Sequence, residues 1–426
     1  VQLLIAVPAF SFMLPLRQAI GAGIIKGARG AAEACMSTST GQQPPLRVGV
    51  VGAGVAGCAL ARKLKDAGVD VTVFEMGRGA GGRMATRKTR EFPGLAINHG
   101  APLFTANKEA FKELLAPLVS AGKVQKFNGR VVDIDASHLR VEGKKLEGDS
   151  YTSSPDMNSM CEALVDGVDA RYGTQVAGIA KEGKEWVLFG KDQAELGRFE
   201  WCVVTSHTVG HKRWEQVFGY APPLETLAQK EPALKKIVEP LQDVSSDPIM
   251  VAMMGFPKAD AAGILALDFD VAHLTNDDTL SRVVRHESGD WVSLCFHSTP
   301  AFAKQYEHVY GSTSVAAKLA ADKWASDDNK KKEEQVLAEL MEASTALLAK
   351  LDCTLPPPVF GPILHRWGSA FTYSAEAPTI DETLGFAVCG DFAEQTHVEV
   401  YGGVEAAAVS GLDLASKILL HSRARM

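Results

Sequence analysis

The chain has 426 residues, 46% of them hydrophobic and 22% charged, which is enough for two domains with buried cores. Its net charge of −7 and the lack of a basic stripe exclude a nucleic-acid binder. Seven scattered cysteines (Cys35, Cys58, Cys161, Cys202, Cys295, Cys353 and Cys389) contain no C-x-x-C pair. They read as buried thiols in a reducing compartment, not as a zinc site or a disulfide framework, and no metal is expected.

Residues 1–45 read as lying outside the fold. Val1 to Leu16 is apolar but too short to span a bilayer, and Pro8 and Pro15 interrupt it, so no transmembrane segment is expected. Arg17, Lys26 and Arg29 face one acid, Glu33, in a stretch rich in Ala, Gly and Ser. That composition fits an organelle transit segment and an intracellular protein of plastid or mitochondrion. A secretory leader, or a start at Met36 with a cytoplasmic protein, are the alternatives.

Val48 to Arg83 carries the strongest signal. The β-formers Val48, Val50 and Val51 lead into Gly52, Gly54 and Gly57, spaced G-x-G-x-x-G, with Ala56 inside the turn. Gly52 allows a tight turn, Gly54 lets a pyrophosphate approach the backbone, and Gly57 lets the next helix pack closely. Leu60 and Leu64 continue an apolar helical face, and Gly68 is placed to stop it. Val69 to Phe74 reads as a second strand ending in Glu75, where a carboxylate accepts the ribose hydroxyls of an adenosine. A second turn, Gly79, Gly81, Gly82 and Arg83, adds backbone donors and a fixed cation near the same pyrophosphate. The plainer reading of this second turn is a surface loop with a solvated arginine.

G-x-G-x-x-G, an acid and then G-G-R is similar to the pattern of FAD enzymes of the amine-oxidase and renalase type. Further along, Ile97 to Ala106 (INHGAPLFTA) resembles the renalase-like block D-x-G-A-Q-Y-F that passes beneath the flavin. Gly100 and Ala101 fit, Asn98 stands for the acid, and Pro102 and Leu103 stand for the Gln and the aromatic; Pro102 removes a donor there. Glu109 to Leu118 reads as an amphipathic core helix with Phe111, Leu114, Leu115 and Leu118 inward. Val131 to Ser150 reads as short strands, and Ser154 to Val165 as a capped helix. The resemblance implies that a strand at Thr174 to Ile179 clamps adenine near Val176. Glu185–Phe189 and Phe199–Thr205 read as strands returning to the nucleotide domain.

From Pro222 the chain turns β-rich: 248–256, 263–269, 280–286 and 291–297 read as an antiparallel sheet. A helix is expected over 330–351, with a solvated Lys330-Lys331-Lys332 first turn. The stretch from Val283 to Tyr306, then His365-Arg366-Trp367, Gly390-Asp391 and the small-residue helix start at Gly403 and Val404 all resemble renalase-like flavoproteins. The resemblance spans about Leu46 to Leu420. It implies a Rossmann-type FAD-binding domain (46–135, 151–221 and 361–421) and an antiparallel-sheet substrate domain (136–150 and 222–360), a fold like p-hydroxybenzoate hydroxylase. It also implies that Asp391 bonds the ribityl or pyrophosphate region. The helix start at Gly403 and Val404 would face flavin N1–C2=O.

The activity so implied is oxidation of reduced pyridine nucleotides, the dihydro-NAD(P) isomers, with O₂ as acceptor and H₂O₂ as product. FAD is expected to be non-covalent, since no His or Cys attachment motif precedes the site. Hydride transfer needs no obligatory protein base. Trp367, His297 and His365 are the catalytic-face candidates, with Tyr373 and His397 also considered. A flavin amine oxidase and a non-catalytic flavin-binding assembly protein are the alternatives.

Overall fold

A computed structural model describes residues 45–320, 326–375, 377–393 and 401–424. The transit-segment reading of residues 1–45, apart from Pro45, and the candidate His397 lie outside them.

Two sheets organise the described residues. The first has six strands in the order Asp169–Tyr172, Asp70–Glu75, Arg47–Val51, Trp201–Val204, Phe386–Val388 and Ile380–Asp381. All pairings are parallel except the last. Parallel strands covered on both faces need apolar residues in near-continuous runs, and RVGVV, DVTVFE and WCVV supply them. Val48, Val50, Val71, Val73 and Val203 face the helices Val55–Asp66 and Gly403–Ala424. Val51, Phe74, Cys202, Val204 and Phe386 face the opposite way, onto a three-stranded antiparallel sheet (178–182, 185–189, 195–199) and the helices Pro223–Lys230 and Lys235–Gln242. The two helices on the first face cross closely: a Cβ on Gly411 would lie 2.3 Å from the Ala56 carbonyl oxygen.

The second sheet has seven strands: Phe360–Thr372, Ser246–Pro257, Trp291–Ser298, Leu280–Ser288, Val271–Thr275, Val131–Asp135 and Arg140–Gly143. Only Val271–Thr275 beside Val131–Asp135 is parallel. Alternation along Ser246–Pro257 decides the faces. Met250, Ala252, Met254 and Phe256 pack under the helix Asp327–Lys350, whose Ser326 side chain caps it through the Asn329 amide. Ile249, Val251 and Met253 face Leu95, Ile97, Leu103 and Tyr401. This is the expected class, a Rossmann-type unit with a separate antiparallel-rich sheet.

Several boundaries differ from the sequence reading. Val131–Asp135 and Phe360–Thr372 belong to the seven-stranded sheet, although the sequence assigned them to the nucleotide domain. Glu185–Phe189 pairs in the small antiparallel sheet and does not enter the six-stranded one. The strand expected at Thr174 begins only at Gly178, leaving Val176 buried just before it. Residues 263–269 hold a short helix, Ala262–Leu265, because a brief apolar run does not itself distinguish helix from strand.

Candidate functional site: two glycine turns facing a histidine-lined sheet

Strand Arg47–Val51 ends at Gly52, and the helix beginning at Val55 has Gly54 as its N-cap, with no side chain capping it. The first helical N–H groups, from Val55 and Ala56 onward, therefore point outward from the positive end of the helix dipole. Gly57 is forced by close approach, since a Cβ there would sit 2.1 Å from the Gly52 carbonyl oxygen. Gly54 is different: a Cβ there would meet nothing within 4 Å. The second turn folds onto the first. Gly81 (φ 140°) and Gly82 (φ 55°) adopt backbone that glycine favours. Gly81 bridges to Gly54, donates its N–H to the Ala53 carbonyl at 2.9 Å, and leaves Gly82 against the Gly54 Cα. Together they make an open cradle of backbone donors at a helix N-terminus, which suits a pyrophosphate.

Glu75 closes the second strand and ties the first turn to the start of the loop that follows the strand. Its carboxylate accepts from the Ala53 N–H at 2.9 Å and the Gly77 N–H at 2.6 Å. Burial raises its pKa, opposed by these two donors. Two of a carboxylate's roughly four acceptor positions stay free for a ribose.

Arg83 and Asp391 meet each other. The guanidinium donates to both Asp391 oxygens, at 2.7 and 2.6 Å, and also reaches Thr372 Oγ1 at 3.2 Å. Burial would raise the Asp391 pKa, but the guanidinium charge and hydrogen bonds hold it below the usual carboxylate value. The sequence reading set each of them separately against the cofactor. In the structure the pair joins the second glycine turn to the segment after Phe386–Val388, with Gly390 donating its N–H to Ser410 Oγ at 3.1 Å.

The Arg83 carbonyl also accepts from Ala101 N at 3.0 Å, and a Cβ on Gly100 would fall 1.9 Å from it, so Gly100 is required there. Asn98 points away, its Oδ1 accepting from Thr86 Oγ1 and the Met157 N–H. Leu103 is fully buried among Leu95, Ile97 and Tyr401. Pro102 and Asn98 line a cleft of about 980 Å³ that includes none of the cradle glycines. The cleft's charged groups are largely paired, as in Lys88–Asp156 and Arg285–Asp270, so its volume outranks its chemistry.

The face of the large sheet turned toward Tyr401 carries a polar row. His365 lies opposite Val251, Val251 opposite His297, His297 opposite Arg282 and Arg282 opposite His273. Cross-strand partners share a face, so residues far apart in sequence converge here. Trp367 stacks on His99 with centroids 5.3 Å apart and donates its Nε1–H to the His99 carbonyl, while His365 meets both rings edge-on. Tyr401 hydrogen-bonds to His273 Nε2 and lies under Arg282, whose Cζ is 5.6 Å from the ring. Burial lowers His99 to about 4 and His273 to about 3, takes His297 and His365 well below the ordinary imidazole value, and raises Tyr401 to about 12. The four imidazoles are thus neutral near pH 7 and serve as oriented dipoles, not as cations.

Tyr401 precedes the helix that starts at Gly403 and Val404. Glu405 in its first turn accepts from the Asn107 and Lys108 N–H groups, both at 2.6 Å. The structure therefore brings His297, His365 and Trp367 together. Tyr373 is instead 55% exposed and bound to Asp247, away from the row. His99, His273 and Arg282 were not singled out from sequence. The available signal for Arg282 was an arginine set between apolar residues in a strand.

Residues 50–118 match the NAD(P)-binding Rossmann-like domain family. Solved structures extend the likeness to the whole described fold. A putative protoporphyrinogen oxidase from Exiguobacterium sp. is 12% identical with TM-score 0.57, covering 89% of this chain and 100% of its own. A putrescine oxidase variant is 14% identical with TM-score 0.56, covering 88% and 100%. A flavoprotein/dehydrogenase from Cytophaga hutchinsonii is 15% identical with TM-score 0.51, covering 88% and 79%. At these identities the likeness is one of fold.

Proposed function

We propose that this protein is a flavin-dependent oxidoreductase: an oxidase that takes a hydride from a reduced nicotinamide, a dihydro-NAD(P) isomer, and passes the electrons to O₂, giving H₂O₂. The observation that carries the flavin reading is the pair of interlocked glycine turns at one helix N-terminus. Gly54 is open on the side where a pyrophosphate would rest, and Glu75 lies beside it. FAD, held non-covalently, supplies hydride acceptance and electron delivery to O₂. The cradle amides and the helix start would bind its phosphates, and Glu75 would accept from the ribose. The Gly403 helix start would offer a second set of first-turn amides.

On the substrate side, the sheet offers stacked aromatic rings and neutral imidazoles and, among the described residues, no buried carboxylate base. That suits orientation of a planar dihydropyridine, with water excluded and no proton taken by the protein. Trp367, already stacked on His99, is the residue proposed to orient the ring.

The purified protein should be yellow, and heat precipitation should leave the colour in the supernatant. Anaerobic mixing with a panel of dihydro-nicotinamides should bleach it. Trp367→Ala should slow bleaching at least tenfold while keeping the bound-flavin spectrum. Loss of flavin on that change would make Trp367 a packing residue. Bleaching by amines alone would transfer the assignment to amine oxidation, and no bleaching by either would leave a flavin-binding protein without turnover.

A further inference from the structure

Arg282 is a buried cation whose charge nothing nearby balances among the described residues. Its residue surface is 8% exposed, and among the described residues it has no hydrogen bond and no ion pair. Among the described residues, the groups facing it are His297 and His273 from the adjacent strands and Tyr401 from the start of the last helix; all are neutral near pH 7. The nearest carboxylate along the row, Asp133, is bound by Lys144 at 2.8 Å. Buried charges in folded proteins are paired, because leaving one unmatched is costly. The guanidinium also has an open end. Its Nε is sealed from solvent without a partner, whereas Nη1 and Nη2, equally unpartnered, are not sealed. His297, 1% exposed, adds an unpartnered Nε2 on the same face.

We infer that Arg282 is the anion-recognition residue of the substrate site, receiving two oxygens of a phosphate group through Nη1 and Nη2. The planar fork of arginine matches a phosphate in this two-point way, and the packing of the guanidinium on Tyr401 holds the fork in place. The inference rests on the reading of the site as one for reduced pyridine nucleotides, whose phosphates are the anionic oxygens at hand. The same guanidinium would repel the ammonium group of an amine substrate.

The test uses the flavin-loaded protein and inorganic phosphate as the probe, followed by calorimetry. Wild type should bind phosphate, and Arg282→Gln should bind it at least tenfold more weakly. With the best dihydro-nicotinamide, KM in Arg282→Gln should rise at least tenfold while kcat stays within about threefold, and phosphate should compete with that substrate in wild type. Unchanged phosphate affinity would overturn the inference. So would a fallen kcat at unchanged KM together with a lowered flavin midpoint potential, since the cation would then serve the reduced flavin. If Arg282→Gln does not retain flavin, Arg282→Lys decides: it keeps the charge but loses the fork, and phosphate affinity equal to wild type rejects two-point recognition. If no dihydro-nicotinamide bleaches the flavin, the activity reading fails, while the phosphate titrations still decide the role of Arg282.

Discussion

Gly54 and Gly57 are three positions apart and carry opposite expectations. A methyl at Gly57 collides with the Gly52 carbonyl, so Gly57→Ala should lower fold stability by about 1–3 kcal/mol along with cofactor binding. A methyl at Gly54 meets no protein atom, so Gly54→Ala should melt within about 0.5 kcal/mol of wild type yet reconstitute poorly with FAD. Thermal melts of the apoprotein and flavin titrations separate the two; normal FAD affinity in Gly54→Ala would mean that no phosphate rests there. Glu75→Ala should weaken FAD by about tenfold to a hundredfold, from a lost charged acceptor of roughly 1.5–3 kcal/mol. The place of Glu75 at the end of the second strand was legible from its spacing. That it also gathers the Ala53 amide was not, because that contact depends on how the first glycine turn sits beside the end of the second strand.

At the scale of elements, the helices Val55–Asp66 and Gly403–Ala424 touch where Gly411 lies on the Ala56 carbonyl. Gly411→Ala should part them and cost about 1–3 kcal/mol, read as a lower urea midpoint. Because the same helix starts at Gly403, FAD affinity should fall with it. An unchanged midpoint would show that the helices have room to slide. Local pattern made Val55–Asp66 and the strands Ser246–Pro257, Leu280–Ser288 and Trp291–Ser298 legible, whereas the Gly403 helix was implied only by the resemblance and Phe360–Thr372 was not read as a strand. Residues 263–269 escaped because the run is too short to choose between periods. The polar row escaped for another reason. His365, His297, Arg282 and His273 sit on four strands, and only the register through Val251 aligns them; a one-residue slip would turn each to the other face. His297 and His365 could be nominated singly, but their union with Arg282 could not.

Across the molecule, the buried imidazoles set how stability responds to acid. Above pH 6.5, folded and unfolded chains both hold them neutral, so they contribute no slope. Below it the unfolded chain takes up protons that the folded chain refuses until about pH 4 for His99 and about 3 for His273. Stability should therefore fall as pH drops from 6.5 toward 4, by up to about 1.4 kcal/mol per pH unit for each such group. Urea midpoints at pH 7.5, 6 and 5 should decline more steeply in wild type than in His99→Gln; parallel declines would mean that His99 is protonated in the folded state. The six-stranded sheet has a different consequence, one of timing. Arg47–Val51 leaves the ribosome long before Phe386–Val388, which completes its sheet, and Gly403–Ala424, which covers its first helix. At 5–20 residues per second, the growing chain waits on the order of 20–70 s with its glycine turns assembled against nothing. The nucleotide unit is thus finished only after residues 386–424 have emerged. Until then its valine strands lie uncovered, and a cofactor can settle on the glycine turns only when that distant piece of chain arrives.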